Sequence, residues 1–230
     1  MNAALIVAAG RGTRMGPGVD KLFLEVLGRP IIAHTWLRFE RAAGIAEIVL
    51  VVRAGMEESF KALAREYQFQ KPFRCVPGGA ERQDSVWNGL QALSPGTEII
   101  AIHDGARPCV TEELIAETIA AARATGAAVA AQRVVDTIKE SEDGQLISRN
   151  LDRSRLWAVQ TPQTFRVEVI RHALAAVQAR GLILTDDTAA CDYIGQPVRL
   201  VLCATPNPKV TTPMDLPYLG ELLARPPGGR

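Results

Sequence analysis

Cysteine is scarce and dispersed: Cys75, Cys109, Cys191 and Cys203 are the four in 230 residues, with no C-x-x-C pair and no Cys/His ligand spacing. That pattern excludes a zinc ribbon or a disulfide framework and implies reduced, buried thiols. Charge of one sign is also missing, since 26 Lys and Arg face 25 Asp and Glu, a formal net charge of +1. No Lys/Arg run is interleaved with aromatics, so generic nucleic-acid binding through a large basic face is excluded. Long apolar runs are absent too; the Ala3–Ala9 stretch is too short to span a bilayer. The first residues are strand-like, with no charged leader, and the expectation is a cytoplasmic protein with no membrane attachment. A Gly-Lys-Ser/Thr triplet is missing after the first glycines, which excludes a Walker A loop.

What is present is a β-prone run, Ala4-Leu5-Ile6-Val7, that delivers the chain to the loop Ala8-Ala9-Gly10-Arg11-Gly12-Thr13-Arg14-Met15-Gly16. No carboxylate precedes Asp20, and Lys21 follows it. Gly10 and Gly12 allow positive φ and close approach of peptide N–H groups to phosphate oxygens, while Arg11, Arg14 and Lys21 supply positive charge. The loop therefore reads as a triphosphate cradle. Two other readings compete: a plain tight turn after a strand, and a dinucleotide turn, because Gly10, Gly12 and Gly16 form G-x-G-x-x-x-G. The latter wants an acidic residue at the end of the second strand to hold a ribose hydroxyl. Here that strand, Glu47 to Val52, ends at Arg53, which suits a 2′-phosphate at best.

The length fits one α/β domain with embellishments, over residues 1–225, followed by a disordered tail at 226–230. Periodicity predicts a short strand at Lys21–Val26, a helix from Pro30 to about Ala43, a strand at Ile45–Val52 and a helix at Met56–Tyr67. Then come a strand at Phe73–Val76, a helix at Glu81–Leu93, a strand at Glu98–His103, a helix at Glu112–Arg123 closed by Gly126, and a strand at Ala127–Gln132. Helices at Val167–Arg180 and Asp186–Ile194, the latter capped by Thr185, a strand at Val198–Cys203 and a helix at Met214–Leu223 complete the reading. Such alternation implies a mostly parallel sheet flanked by helices, with ligands at the carboxyl ends of its strands. The Gly10 loop, Gly78-Gly79 and His103-Asp104 all fall at such ends and should converge.

Between Arg133 and Trp157 the alternation breaks. Val134 to Lys139 and Leu146 to Asn150 flank the turn signal Glu142-Asp143-Gly144-Gln145, which predicts a projecting β-arm. Such a ribbon is marginal alone; it either pairs with a second subunit or packs on its own chain.

Several further motifs carry chemistry. In Gly78-Gly79-x-Glu81-Arg82-x-Asp84-Ser85-Val86, Gly79 lets backbone approach a base with Arg82 and Ser85 nearby, although a capped helix start accounts for the same residues. Asp104, in His103-Asp104-Gly105-Ala106-Arg107-Pro108, is the residue type needed for Mg²⁺ or a ribose hydroxyl, or is a turn Asp. His103 reads as a packed core histidine. Asp136-Thr137, Asp152-Arg153, Thr161-Pro162-Gln163, Thr185-Asp186-Asp187 and Asn207-Pro208-Lys209-Val210-Thr211-x-Pro213-x-Asp215-Leu216 follow.

The first loop, with Lys21-Leu22-Phe23-Leu24 and Gly28-Arg29-Pro30-Ile31-Ile32, resembles the nucleotidyltransferases that make sugar nucleotides and related activated alcohols. Together with the later motifs, from Ala8 to Leu216, the chain resembles the 2-C-methyl-D-erythritol 4-phosphate cytidylyltransferase family of non-mevalonate isoprenoid biosynthesis. The resemblance implies a Rossmann-like α/β domain, a homodimer interlocked through the 133–157 arm, CTP as cosubstrate, Mg²⁺ and release of pyrophosphate. It assigns Ala8, Ala9, Gly10, Gly12, Thr13, Arg14, Met15 and Lys21 to the CTP phosphates and ribose, with Arg14 and Lys21 stabilising the transition state. Gly79, Arg82 and Ser85 match the cytosine and nucleotide contacts, and Asp104 with Ala106 the ribose and metal end. Arg153 and Lys209 complete the catalytic set by holding the methylerythritol phosphate. Arg153 and Thr137 would serve the partner subunit's site, where Arg107, Thr161 and Thr185 line the same pocket.

Two residues depart from the family pattern: Asp187 stands where Glu is common, and Pro208 where an aliphatic residue is usual. Ribitol 5-phosphate is the alternative acceptor on this scaffold, and a catalytically silent nucleotide-binding homologue is the alternative outside the enzyme class. No Ser-His-Asp arrangement is required, since a phosphate monoester, with a second pKa of about 6, is already ionised near pH 7.

Overall fold

The computed structural model describes residues 1–10 and 20–225. Gly12, Thr13, Arg14 and Met15, and the tail at 226–230, lie outside the described residues.

Seven strands form one sheet in the order β11-β7-β10-β6-β1-β4-β5. These are β1 (Asn2–Ala8), β4 (Glu47–Val52), β5 (Phe73–Pro77), β6 (Ile99–Asp104), β7 (Ala127–Arg133), β10 (Trp157–Arg166) and β11 (Arg199–Leu202). β1 lies between β4 and β6, parallel to both, and β11 is parallel to β7. β10 alone runs antiparallel, between β6 and β7. β1, β4 and β6 are apolar almost throughout because both faces of the sheet are covered.

The pleat sends alternate side chains to two cores. Ala4, Ile6, Ile48 and Leu50 meet α1 (Ile31–Arg41), α2 (Glu57–Glu66) and α4 (Glu112–Thr125) through Ile31, Trp36, Phe39, Phe60, Leu63 and Ile115. Leu5, Val51, Ile100 and Ile102 meet α3 (Arg82–Gln91), α5 (Val167–Gln178) and α6 (Asp187–Tyr193) through Val86, Leu90, Ile170, Leu174 and Ala190. Each large side chain so buried contributes about 1.5–3 kcal/mol. A last helix, α7 (Asp215–Ala224), buries Leu219 on the first face.

The element boundaries follow local caps. Thr111 caps α4 by accepting the Leu114 N–H at 3.2 Å, and Gly126 ends it with φ of 92°. Four expectations change. Lys21–Val26 is not a strand: Asp20 accepts the Leu22 N–H and sets a 3₁₀ turn at Lys21–Phe23, leaving β2 (Glu25–Val26) to pair with β3 (Arg29–Pro30). The cap of α6 is Asp186 rather than Thr185, its carboxylate accepting the Ala189 N–H at 3.0 Å. Two of the thiols, Cys75 and Cys109, are only half-buried, while Cys191 and Cys203 are buried. The fourth change is β10 itself, a strand disguised by Pro162. Its register shifts between Val159 and Gln163, so the proline falls where no ladder bond is required.

The arm is a hairpin with little ladder. Only β8 (Lys139–Glu140) and β9 (Arg149–Asn150) pair, and residues 139–150 are exposed throughout. Its turn is as read from sequence: Gly144 has φ of 72° and Asp143 accepts N–H bonds from Gln145 and Leu146. The expected strand from Val134 shrinks to isolated bonds at its ends, the Val134 N–H donating to the Leu156 carbonyl at 3.3 Å and the Ile138 carbonyl accepting the Leu151 N–H at 3.2 Å, with no continuous ladder between them.

Candidate active site

The carboxyl ends of β1 and β6 and the start of α3 enclose a cavity of about 450 Å³. Ala8, Ala9 and Gly10 reach it from β1, Gly79 and Arg82 from the β5–α3 connection, Asp104 and Ala106 from β6, and Lys21 and Lys209 from either side. The expected convergence is therefore present.

The glycines have different reasons. A Cβ on Gly78 would lie 2.4 Å from the Ala9 Cβ, and one on Gly79 would lie 2.3 Å from the Asp84 Cβ, so both allow a close passage of chain. Gly10 is not in the left-handed region, and a Cβ there would meet nothing within 4 Å. It borders open cavity rather than relieving strain. The start of α3 is a capping box between Glu81 and Asp84, and the Ser85 hydroxyl accepts the Gly79 N–H at 3.0 Å while donating to the Glu81 carbonyl.

Charge is concentrated on Asp104. Its carboxylate meets Lys209 Nζ at 2.9 Å, Arg107 Nε at 3.4 Å and Arg82 at 3.7 Å. Burial alone would raise its pKa, but Lys209, Arg82 and Arg107 hold it well below the usual carboxylate range. Arg82 also binds Asp187, a buried carboxylate on α6, at 2.5 Å. The segment carrying Lys209 is fixed by Val210, whose N–H donates to the Ala106 carbonyl at 2.9 Å and whose carbonyl accepts Lys21 Nζ at 3.0 Å.

Behind Asp104, the buried Thr161 hydroxyl accepts the Asp104 N–H at 3.1 Å and lies 3.0 Å from His103 Nδ1. His103 Nε2 is 3.0 Å from the Arg107 carbonyl. Burial pushes the His103 pKa down to about 4, so the ring is neutral at pH 7 and acts as core. Among the described residues, a cavity lined by Lys21, Arg82 and Lys209, with Asp104 and the α3-capping Glu81 as its carboxylates and no charged histidine, suits binding and stabilising phosphates rather than proton transfer.

The model of the 2-C-methyl-D-erythritol 4-phosphate cytidylyltransferase family matches residues 2–224. The chain belongs to that family. The cytidylyltransferase of Geobacillus kaustophilus strain HTA426 is 45% identical over 221 residues, covering 96% of each chain. That of Alkaliphilus oremlandii strain OhILAs is 43% identical over 222 residues, covering 96% of this chain and 94% of the relative. Among solved structures, 4-diphosphocytidyl-2C-methyl-D-erythritol synthase from Anaerococcus prevotii DSM 20548 superposes with a TM-score of 0.86 at 31% identity, covering 97% and 96% of the two chains. The cytidylyltransferase from Thermus thermophilus gives 0.79 at 33% identity, covering 98% and 100%.

Membership in the cytidylyltransferase family replaces the dinucleotide reading, and Arg53, which stands where that reading wanted an acidic residue, is paired with Asp20. Of the residues assigned by resemblance, Ala8, Ala9, Gly10, Lys21, Gly79, Arg82, Ser85, Asp104, Ala106 and Lys209 line one cavity. Arg107 and Thr161 stand behind it, gripping Asp104. Thr185 is exposed beside the α6 cap, and Thr137 and Arg153 are exposed on the arm, where Arg153 donates to the Val135 carbonyl at 2.7 Å. None of these three lines the cavity of its own chain. The sequence does not give the partner of Arg82: Asp187 stands out there as part of Thr185-Asp186-Asp187 and as a departure from the cytidylyltransferase pattern, and a pair 105 residues apart leaves no local signal. Gln163 and Asn207, both buried and both bonded into this region, were likewise noticed only as motif residues.

Proposed function

We propose that the chain transfers the cytidylyl group of CTP to 2-C-methyl-D-erythritol 4-phosphate, giving 4-diphosphocytidyl-2-C-methyl-D-erythritol and pyrophosphate. The observation that carries this reading is the cavity that gathers Lys21, Arg82 and Lys209 about Asp104 at the carboxyl ends of parallel strands. Residues 1–225 act as one nucleotidyltransferase domain, working in the cytoplasm. A phosphate oxygen of the acceptor attacks the α-phosphorus, a new P–O bond forms, and the bond to the bridging oxygen of the β-phosphate breaks. Negative charge grows on the equatorial oxygens, so the work is positioning and charge stabilisation. Lys21 and Arg14 supply the stabilising charge at the α-phosphate. Ala8, Ala9, Gly10, Gly12, Thr13, Met15, Gly79, Arg82, Ser85, Asp104 and Ala106 hold the nucleotide. Lys209 and Arg107 draw in the acceptor phosphate beside Thr161 and Thr185.

The donor set fits Mg²⁺ that arrives on the triphosphate. Among the described residues no group of three or more His, Cys, Asp or Glu converges; of the two carboxylates lining the cavity, Glu81 is engaged in the capping box of α3, which leaves Asp104 as the protein's ligand. Mg²⁺ is commonly held by one or two carboxylates with substrate phosphates and waters. When bound, it would neutralise phosphate charge and help align the α-phosphorus.

Arg153 and Thr137 reach a site only if the arm crosses to a second copy. Val135, Leu146 and Ile147 on the arm are 78%, 74% and 64% exposed, an apolar surface that a homodimer would cover. The reading is tested by pyrophosphate release with CTP and Mg²⁺, comparing methylerythritol phosphate with ribitol 5-phosphate. Release with the first acceptor is the expected result; preference for ribitol phosphate replaces the acceptor, and no release with either leaves a silent homologue.

A further inference from the structure

Arg82 lies between two carboxylates of different kinds. Asp104 forms part of the cavity wall, whereas Asp187 is 1% exposed and behind it. Its bond to Arg82, at 2.5 Å, is the short charge-assisted type. We propose that Asp187 is a positioning residue for nucleotide binding, holding the Arg82 guanidinium in the cavity wall and keeping it from turning wholly onto Asp104. This rests on the reading that the cavity takes CTP.

The surroundings favour orientation over simple attachment. Gln163 on β10 accepts the Asp187 N–H at 3.0 Å and donates to the Asp186 carboxylate at 2.9 Å, so the start of α6 is fixed to the sheet independently of Arg82. On the neighbouring helix, Gln83 donates to the Leu182 carbonyl at 2.8 Å and accepts the Leu184 N–H at 2.9 Å. Two glutamines thus join α3, β10 and the segment leading to α6 without the ion pair. What the pair adds is the direction of one guanidinium and the compensation of its charge. Deprived of Asp187, Arg82 has a second anion close by, Asp104, and would compete there with Lys209, whose Nζ is 2.9 Å away. An Asp104 carboxylate bound by Arg82 is less available to a nucleotide, and Arg82 so turned is withdrawn from it.

The test is a double-mutant cycle on the full chain, reading the dissociation constant of CTP with Mg²⁺ and no acceptor by calorimetry, with thermal unfolding of each variant alongside. Asp187→Asn is expected to weaken CTP binding about tenfold, the scale of one charge-assisted hydrogen bond. In an Arg82→Ala background the same change is expected to alter the constant less than about twofold, because coupled residues are non-additive. An equal loss in both backgrounds, or none in either, overturns the proposal in favour of a structural role. Should Asp187→Asn not fold, Asp187→Ser, a smaller side chain that also removes the charge, takes its place, and its effect must likewise vanish without Arg82. Failure of the unmodified protein to bind CTP would instead overturn the reading of the cavity itself.

Discussion

Asp104 carries one negative charge among Lys209, Arg107 and Arg82. With Lys21 nearby, the cations outnumber the buried carboxylates Asp104 and Asp187, an excess that is favourable once a polyanion enters, which is the physical case for a nucleotide there. Lys21 is the cation to remove first: Lys21→Ala should lower kcat about 100- to 1,000-fold, by analogy with the loss of one oxyanion donor, while thermal unfolding falls only by the loss of contacts such as its bond to the Val210 carbonyl. Pyrophosphate release checks the rate; a variant with near-normal turnover would remove Lys21 from the transition state. The thiols make a second prediction at this scale. Burial pushes the pKa of Cys75 and Cys109 up to about 11, and that of Cys191 to about 12. At pH 8 only about one Cys75 thiol in a thousand is the reactive thiolate. Labelling of the native protein by a disulfide reagent should therefore be slow and rise roughly tenfold per pH unit to about pH 10, whereas urea-unfolded chain should react rapidly at all four positions.

Elements are held at their ends. Thr111→Ala, which removes the α4 cap, should cost about 1 kcal/mol in urea unfolding. Glu47, at the start of β4, is buried and accepts bonds from the Ser94 N–H at 2.9 Å, the Ser94 hydroxyl at 2.6 Å and the Thr97 hydroxyl at 3.0 Å. Burial opposes its ionisation, but these bonds prevail and its pKa falls below 4.5. Since the folded value is the lower one, the stability Glu47 contributes is present above the unfolded pKa and is lost as pH falls through the folded one. The stability gap between wild type and Glu47→Gln should accordingly be widest near neutrality and narrow below about pH 4.5. A constant gap across that range would mean that the charge of Glu47 plays no part. β10 is the element least visible from sequence, because Pro162 and its polar neighbours hide a strand that lies buried between β6 and β7.

For the whole molecule, the proposed pairing of two copies through the arm is tested at its exposed apolar residues. Leu146→Glu with Ile147→Glu should convert a dimer to monomer in sedimentation and abolish pyrophosphate release, if Arg153 and Thr137 act in the second copy. An unchanged mass would place the interface elsewhere. Much of this protein was legible along the chain: the alternation of strand and helix, the convergence of the β1 and β6 ends, the Gly144 turn of the arm and the motifs that carry the family resemblance. These rest on periodicity, caps and φ preferences, which act over a few residues. Tertiary structure alone decided which distant groups meet. It set Arg82 against Asp187 and Lys209 against Asp104, turned Thr161 inward to hold Asp104, and placed antiparallel β10 within a parallel sheet. The reason is that an ion pair has no period: its partner is chosen by strand order and helix packing, through which the apolar cores bring remote segments together.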